Sequence, residues 1–420
     1  MGQLFYKACL VILILSLQMA DVEVSFAVAA ALSIICFRKQ ISNQMVLIIF
    51  MLFALVIIGS ITVFEPENDY YFFLKDLIYF LRPIFVMSSA YFIAMRLEDK
   101  RSFLNILVLM GFYFATMHLW KLVTNFTLIP ADTNRIRTYF GRYNHVETIA
   151  LLLIICVKDL PVKRSRFKIF YKLFVVGLVV SFLFYFSRTM IMVVFAMSLA
   201  YFGYLRLNQK GTIALAGLLI LGSAFTVFLS FYEPAEENSG IVDTFLFKIK
   251  NSVSESFSLK NVDIASKDRR KLWKHWRAYE AHMVYTEVDR AKLWFTGEGF
   301  GSTVDIGFEA KLDGEMTQHL SLTHNGFAYL YLKTGILGLL IYLLFVLYLY
   351  SFSYSPERTS LQTVGNNLLA ACTFYILISS FVVTGIFKPY DMATLLMGGA
   401  FALKQIGKIE NRNTRNEGDT

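Results

Sequence analysis

His324 closes a long polar stretch and stands directly before Asn325 and an apolar run; nine residues separate Asn325 from Gly335, and two more separate Gly335 from Gly338. Imidazole titrates near pH 6.5, so a neutral histidine at this place can take a proton from a hydroxyl near neutral pH. A purely structural histidine, with Thr323 and Asn325 as helix-start residues beside it, is the plainer alternative. Arginines supply the second kind of chemistry. Ser187-Arg188-Thr189 is the one interruption in the apolar stretch from Lys168 to Arg206, which is too long for a single span and so reads as a hairpin with Arg188 at its tip. At head-group depth Arg188 is either an interfacial anchor snorkelling to water or a phosphate ligand whose planar fork suits bidentate contact. Arg137 and Arg142 fall in a second connection, and Arg269 and Arg270 in the middle of the longest one. A histidine base with such arginines can activate a hydroxyl and stabilise a diphosphate leaving group without a metal.

The elements that must position these residues are membrane helices. Hydrophobic residues make up 56% of the 420-residue chain and the mean hydropathy is +0.54, too apolar for a soluble protein with a polar outer shell. Apolar runs near the roughly 20 residues that cross a bilayer recur without the alternation of barrel strands. The expected fold is an all-α polytopic membrane protein with about twelve transmembrane helices. The spans lie near 4–20, 24–37, 44–64, 70–95, 103–121, 145–157, 169–186, 189–205, 212–231, 325–353, 366–387 and 390–404. About nine of them form an N-terminal block over 1–231, a large polar loop covers 232–323, about three more occupy 324–404, and 405–420 is a tail.

Lys and Arg concentrate in alternate connections, at Arg38-Lys39, Arg96 to Arg101, Lys163 to Arg166, Arg206 to Lys210, Arg358 and the C-terminal tail. The positive-inside bias makes those cytoplasmic, along with both termini, and places the 122–144 connection, the Ser187 turn and the large loop outside. The net charge of +9 is thereby accounted for by cytoplasmic flanks, not by a nucleic-acid surface. Lys7 precedes an apolar run without a small-residue cleavage site, so the first helix reads as uncleaved. Cys9, Cys36, Cys156 and Cys372 all fall in predicted spans, which indicates packing residues and neither a disulfide framework nor a cysteine metal site.

Within the large loop, Lys267 to Ala281 predicts a helix with Leu272, Trp273, Trp276 and Tyr279 among basic groups, suited to lying along the membrane surface. Gly297-Glu298-Gly299-Phe300-Gly301 lacks the flanking strand and helix of a dinucleotide site and reads as a backbone turn. Asp21 and Glu23 are an acidic pair on a topological flank, held in reserve as metal ligands. In the fourth span Lys75 and Asp76 are expected to pair, and Arg82 is a candidate for lipid-head binding.

With these residues in place, the chain resembles the bacterial O-antigen ligase and polymerase superfamily of membrane glycosyltransferases. The resemblance is carried by His324-Asn325 followed at family spacing by Gly335-Ile336-Leu337-Gly338, by Arg137-x-x-Phe140-Gly141 before a span, by Ser187-Arg188-Thr189 at a hairpin, and by Arg269 four residues before Trp273. It covers about residues 130 to 340 and implies a helical C-type glycosyltransferase architecture with one large periplasmic loop. It implies inverting transfer from an undecaprenyl-diphosphate-linked glycan with no cofactor and no obligatory metal. On this chain His324 would be the acceptor-activating base, Arg137, Arg188 and Arg269 would bind the diphosphate, and Asn325, Gly335 and Gly338 would shape the motif. Arg142 competes with Arg137 for that role, and Arg270 with Arg269.

The acceptor is a second lipid-linked repeat unit if the enzyme is a polymerase, with a chain-length regulator as a further possible partner, or lipid A core if it is a ligase. Arg290 and Gly301 match an R-x10-G pattern of some polymerases, a weak preference in a chain with 24 glycines. A transporter or flippase is the alternative of another class, although no convincing internal repeat or paired broken helices stand out.

Overall fold

The computed structural model describes residues 2–61, 70–125, 143–160, 162, 168–231, 275–312, 315–356 and 359–418. Arg137, Arg142, Arg269 and Arg270 lie outside the described residues, as does the 267–274 half of the expected loop helix. In chain order the helices are α1 (Gln3–Met19), α2 (Val22–Ile35), α3 (Asn43–Ser60), α4 (Tyr70–Arg96), α5 (Ser102–Thr124), α6 (Asn144–Cys156), α7 (Lys168–Phe184), α8 (Arg188–Tyr201) and α9 (Gln209–Phe231). After them come α10 (Trp276–Ala291), the strands β1 (Val304–Leu312) and β2 (Glu315–Leu320), and then α11 (Gly326–Ser351), α12 (Ser360–Val382) and α13 (Ala393–Gly418).

The protein is mostly helical and membrane-embedded. Among the described residues α3, α4, α5, α11 with the short turn after it, and α12 are long and apolar enough to cross a membrane, and α1, α2, α6, α7 and α8 are shorter apolar helices. At 1.5 Å per residue the 14 residues of α2 or α8 extend only about 21 Å, short of a hydrocarbon core of about 30 Å.

Hydrogen bonds between connections sort the helix ends. Gln3 Nε2 donates to Arg96 O (3.1 Å), Arg38 Nη1 to Met95 O (2.7 Å), Arg101 Nη1 to Asp159 O (2.9 Å) and Tyr350 Oη to Leu205 O (2.7 Å), which gathers the basic connections at one end. At the other end Gln18 Nε2 donates to Tyr390 O (3.3 Å), and the Phe300 amide donates to Gly59 O (2.7 Å). The chain thus carries α10, the hairpin and His324 at the end away from the basic connections. Cys9, Cys36, Cys156 and Cys372 are buried.

At that end the structure contains a feature the sequence reading did not include. β1 and β2 form an antiparallel two-stranded sheet, and α10 packs on it. Trp276, Tyr279, Val284 and Val288 of α10 join Val304, Ile306, Ala310 and Leu320 of the hairpin and Leu332 of α11 in a core of their own. For the described part of the expected loop helix, Trp276 to Ala281, the aromatic face meets the hairpin. The Trp276 and Tyr279 rings are buried against protein, Tyr279 Oη donates to Ile306 O (2.7 Å), and the helix starts at Trp276 and runs on to Ala291.

The small unit is pinned to the membrane helices by the Gly297–Gly301 turn. Gly297, Gly299 and Gly301 all have positive φ, and the turn inserts the Phe300 ring, wholly buried, between Phe73 and Phe80 of α4. α11 meets the same turn at a break. Gly335 adopts φ 60° and ψ −159°, so its helix is interrupted, and the Ile336 and Leu337 amides donate to Trp294 O (2.8 Å) and Phe295 O (3.1 Å). The Glu298 amide in turn donates to Leu332 O (2.7 Å), so the groups freed by the break are satisfied by the loop.

Candidate active site

His324 is held on three sides. Its amide donates to Glu280 Oε2 (2.8 Å), its ring Nδ1 meets Glu280 Oε1 (2.9 Å), and its carbonyl accepts from the Thr384 amide (2.9 Å). Thr384 Oγ1 also donates to Thr323 O (2.7 Å). Asn325 is the N-cap of α11, its side-chain oxygen accepting from the Phe327 (3.0 Å) and Ala328 (3.2 Å) amides. Gly326 lets Thr384 approach, since a Cβ there would lie 2.8 Å from its carbonyl carbon. The result is a histidine at the mouth of a helix whose backbone has no freedom to slide.

The Glu280 carboxylate is buried while the His324 side chain is 51% exposed. A carboxylate only accepts, so Nδ1 is the donor of this contact, and in the neutral ring that leaves the lone pair on Nε2. This is the orientation a general base requires. Both residues line a cavity of about 470 Å³ at this end of the bundle, together with Lys75 and Tyr79 of α4, His319 of β2, and Thr384 and Lys388 from the connection between α12 and α13.

The charged residues of α4 are arranged differently from expectation. Asp76 pairs with Lys333 of α11 (2.5 Å), both buried, and also accepts from the Gly301 amide (2.9 Å) and Tyr329 Oη (2.8 Å). The expected Lys75–Asp76 pair is therefore absent, because successive residues on a helix point about 100° apart and Asp76 faces the protein while Lys75 faces the cavity. Arg82 is buried, with Nε donating to Ser25 Oγ (3.0 Å), Nη1 to Lys388 O (2.8 Å) and Nη2 to Pro389 O. It clamps the segment that carries Lys388 into the cavity, and with all three nitrogens engaged it is not placed to take a lipid head group.

Arg188 heads α8 at the tip of the α7–α8 hairpin, capped by Ser187, whose hydroxyl accepts from the Met190 amide (3.4 Å). α8 packs on α12, and its far end is tied to the start of α12 by Arg206 Nη2 to Asn367 Oδ1 (3.4 Å). Arg188 consequently lies at the end where α12 finishes and the cavity opens, but it is not among the cavity-lining residues. Gly335 and Gly338 lie nine and twelve residues beyond Gly326 along α11 and serve the backbone: a Cβ on Gly335 would overlap the Phe295 carbonyl, and one on Gly338 would overlap Thr334. Exposed Arg290 pairs with the buried Glu287 of α10, whereas Gly301 belongs to the buried turn beside Asp76, so the R-x10-G residues have separate partners.

Glu280, Lys388 and His319 are cavity residues that sequence reasoning passed over. A signal for Glu280 existed, since Trp276, Glu280, Val284 and Glu287 recur at helical spacing along the buried face of α10. A carboxylate on an apolar face needs a partner, and here the partner is His324. Comparison with known protein families, characterised proteins and solved structures returns no match to this chain.

Proposed function

We propose that the chain is an inverting, metal-independent membrane glycosyltransferase of bacterial surface-polysaccharide synthesis, which polymerises undecaprenyl-diphosphate-linked repeat units. The observation that carries this reading is the Glu280–His324 dyad opening into a cation-bearing cavity at one end of a bundle of apolar helices. In this reading an acceptor hydroxyl attacks the anomeric carbon of the donor sugar. The new carbon–oxygen bond forms as the bond to the diphosphate breaks, the hydroxyl proton passes to His324 Nε2, and the electron pair leaves with the lipid diphosphate. Glu280 stabilises the imidazolium that results, and Arg188 with the arginines of the 122–144 and 232–274 segments offsets the charge on the leaving group.

The site would then face the periplasm from the bacterial inner membrane, with the basic connections and both termini in the cytoplasm, as the positive-inside bias favours. Ligation of a finished glycan to lipid A core uses the same chemistry and differs in the acceptor. The test is turnover by purified protein given an undecaprenyl-diphosphate glycan with either a second lipid-linked repeat or lipid A core. A ladder of longer lipid-linked products, lost in His324→Ala, is expected. Transfer to core alone would make it a ligase, and absence of any His324-dependent product would return transport to the front.

A further inference from the structure

The connection that follows α10 exposes two large aromatic side chains that lie outside the small core. Trp294 is 38% exposed and Phe295 64%. The backbone carbonyls of these same residues accept from the Ile336 and Leu337 amides at the break in α11. The two rings therefore stand level with the point at which α11 changes its surroundings. Residues 326–334 are all buried or half-buried, whereas beyond Gly335 an exposed apolar stripe runs through Ile336, Leu337, Leu340, Leu344 and Leu347, the lipid-facing side of a membrane helix.

Helix length gives the same level independently. Gly326–Tyr354 counts 29 residues, about 43 Å at 1.5 Å per residue, against a hydrocarbon core of about 30 Å. Tyr350 ties its far end to the basic connections, and about 20 residues back from Tyr354 the helix reaches the Gly335 break. The other hydrocarbon edge thus falls at Trp294 and Phe295, the depth at which tryptophan is favoured. Cations flank the rings as they do at a head-group layer: exposed Lys292 lies over the Trp294 ring (5.2 Å), and exposed Arg290 precedes it in the chain.

We infer that Trp294 and Phe295 form an anchor that seats the unit of α10 and the hairpin in the lipid leaflet at the His324 end, with the rings at the hydrocarbon edge and Lys292 and Arg290 among the head groups. Residues 280–291 of α10 and 326–335 of α11 each span about 15 Å between the dyad and this anchor. The anchor thereby fixes the height of Glu280 and His324 over the leaflet. It concerns where the unit sits and is independent of the reaction at the dyad.

The experiment uses the full-length protein in phosphatidylcholine nanodiscs. The chain has four tryptophans, so the Trp294 signal is the emission that Trp294→Phe removes. That difference signal is expected to fall about twofold when the lipid is brominated in its acyl chains near the head group, and to be unaffected by aqueous iodide. Quenching by iodide and not by bromolipid would put the ring in water. Quenching by neither would mean that protein, such as a second copy of the chain, covers it, and either result overturns the anchor. A nitroxide on Phe295→Cys gives a second reading that does not depend on tryptophan, the native cysteines being buried. Its relaxation is expected to respond to molecular oxygen more than to a water-soluble nickel chelate, and the reverse order would also overturn the anchor.

Discussion

Replacing Gly335 by alanine tests the joint on which the geometry of the dyad depends. At φ 60° and ψ −159° this residue occupies backbone space open in practice to glycine alone, and a side chain there costs about 1–3 kcal/mol. Space is lacking as well. A Cβ would lie 2.5 Å from Gly297 N and nearer still to the Phe295 carbonyl, so the 295–298 backbone has to withdraw. Withdrawal stretches the amide bonds from Ile336 to Trp294 O, from Leu337 to Phe295 O and from Glu298 to Leu332 O. At about 1 kcal/mol net for each, the combined cost comes to about 4–6 kcal/mol. For a chain of this size that corresponds to a loss of at least about 5 °C in the melting temperature of the detergent-purified protein. Hydrogen exchange localises the effect: the Ile336 and Leu337 amides exchange faster in Gly335→Ala, while α1 and α2, which do not touch the joint, are unchanged. An alanine variant that melts within about 1 °C of wild type and keeps slow exchange at both amides would refute the account of this break as a glycine-dependent joint.

Other perturbations probe the site and its supports. Glu280→Gln removes the charge behind the His324 ring; at about 4 Å and an effective dielectric of about 20 the attraction is about 4 kcal/mol, and roughly half survives for a half-exposed ring. A fall in kcat of about 30-fold with little change in KM is expected, and an unchanged kcat would remove Glu280 from the mechanism. Breaking the buried Asp76–Lys333 pair with Lys333→Met strands a carboxylate and costs about 3–5 kcal/mol, whereas adding Asp76→Asn recovers part of that loss. Additive effects in chemical unfolding of the single and double variants would show that the two charges are not coupled. Arg188→Lys keeps the charge and loses the bidentate fork, so transfer activity drops if Arg188 contacts phosphate; wild-type rates would leave it an interfacial anchor.

How much of this was legible beforehand differs from element to element. Each of the twelve apolar segments falls on a described helix, although α12 lies five to six residues earlier than expected and α13 runs on to Gly418, because apolarity over one helix length is a local property. The Ser187 turn, the Asn325 cap and the Gly297–Gly301 turn follow likewise from short-range chemistry. The hairpin was written locally too: Val304, Ile306, Phe308 and Ala310 alternate with polar residues and glycine, a period of two that a hydropathy reading tuned to membrane spans does not pick up. An apolar helix face indicates burial without naming what covers it, and for Trp276 and Tyr279 the hairpin covers it.

The sequence by itself determined which segments are helices, where the chain turns, and that a histidine stands at the start of a helix at one end of the bundle. Only the tertiary structure decided which residues meet there. Glu280 reaches His324 across 44 positions, Asp76 passes over its neighbour Lys75 for Lys333, and Lys388 enters the cavity because Arg82, 306 positions away, fixes its backbone. Helix-forming preference acts over a few residues, whereas the pairing of buried charges is set by which helices pack together, and a buried charge takes whatever partner that packing brings within reach.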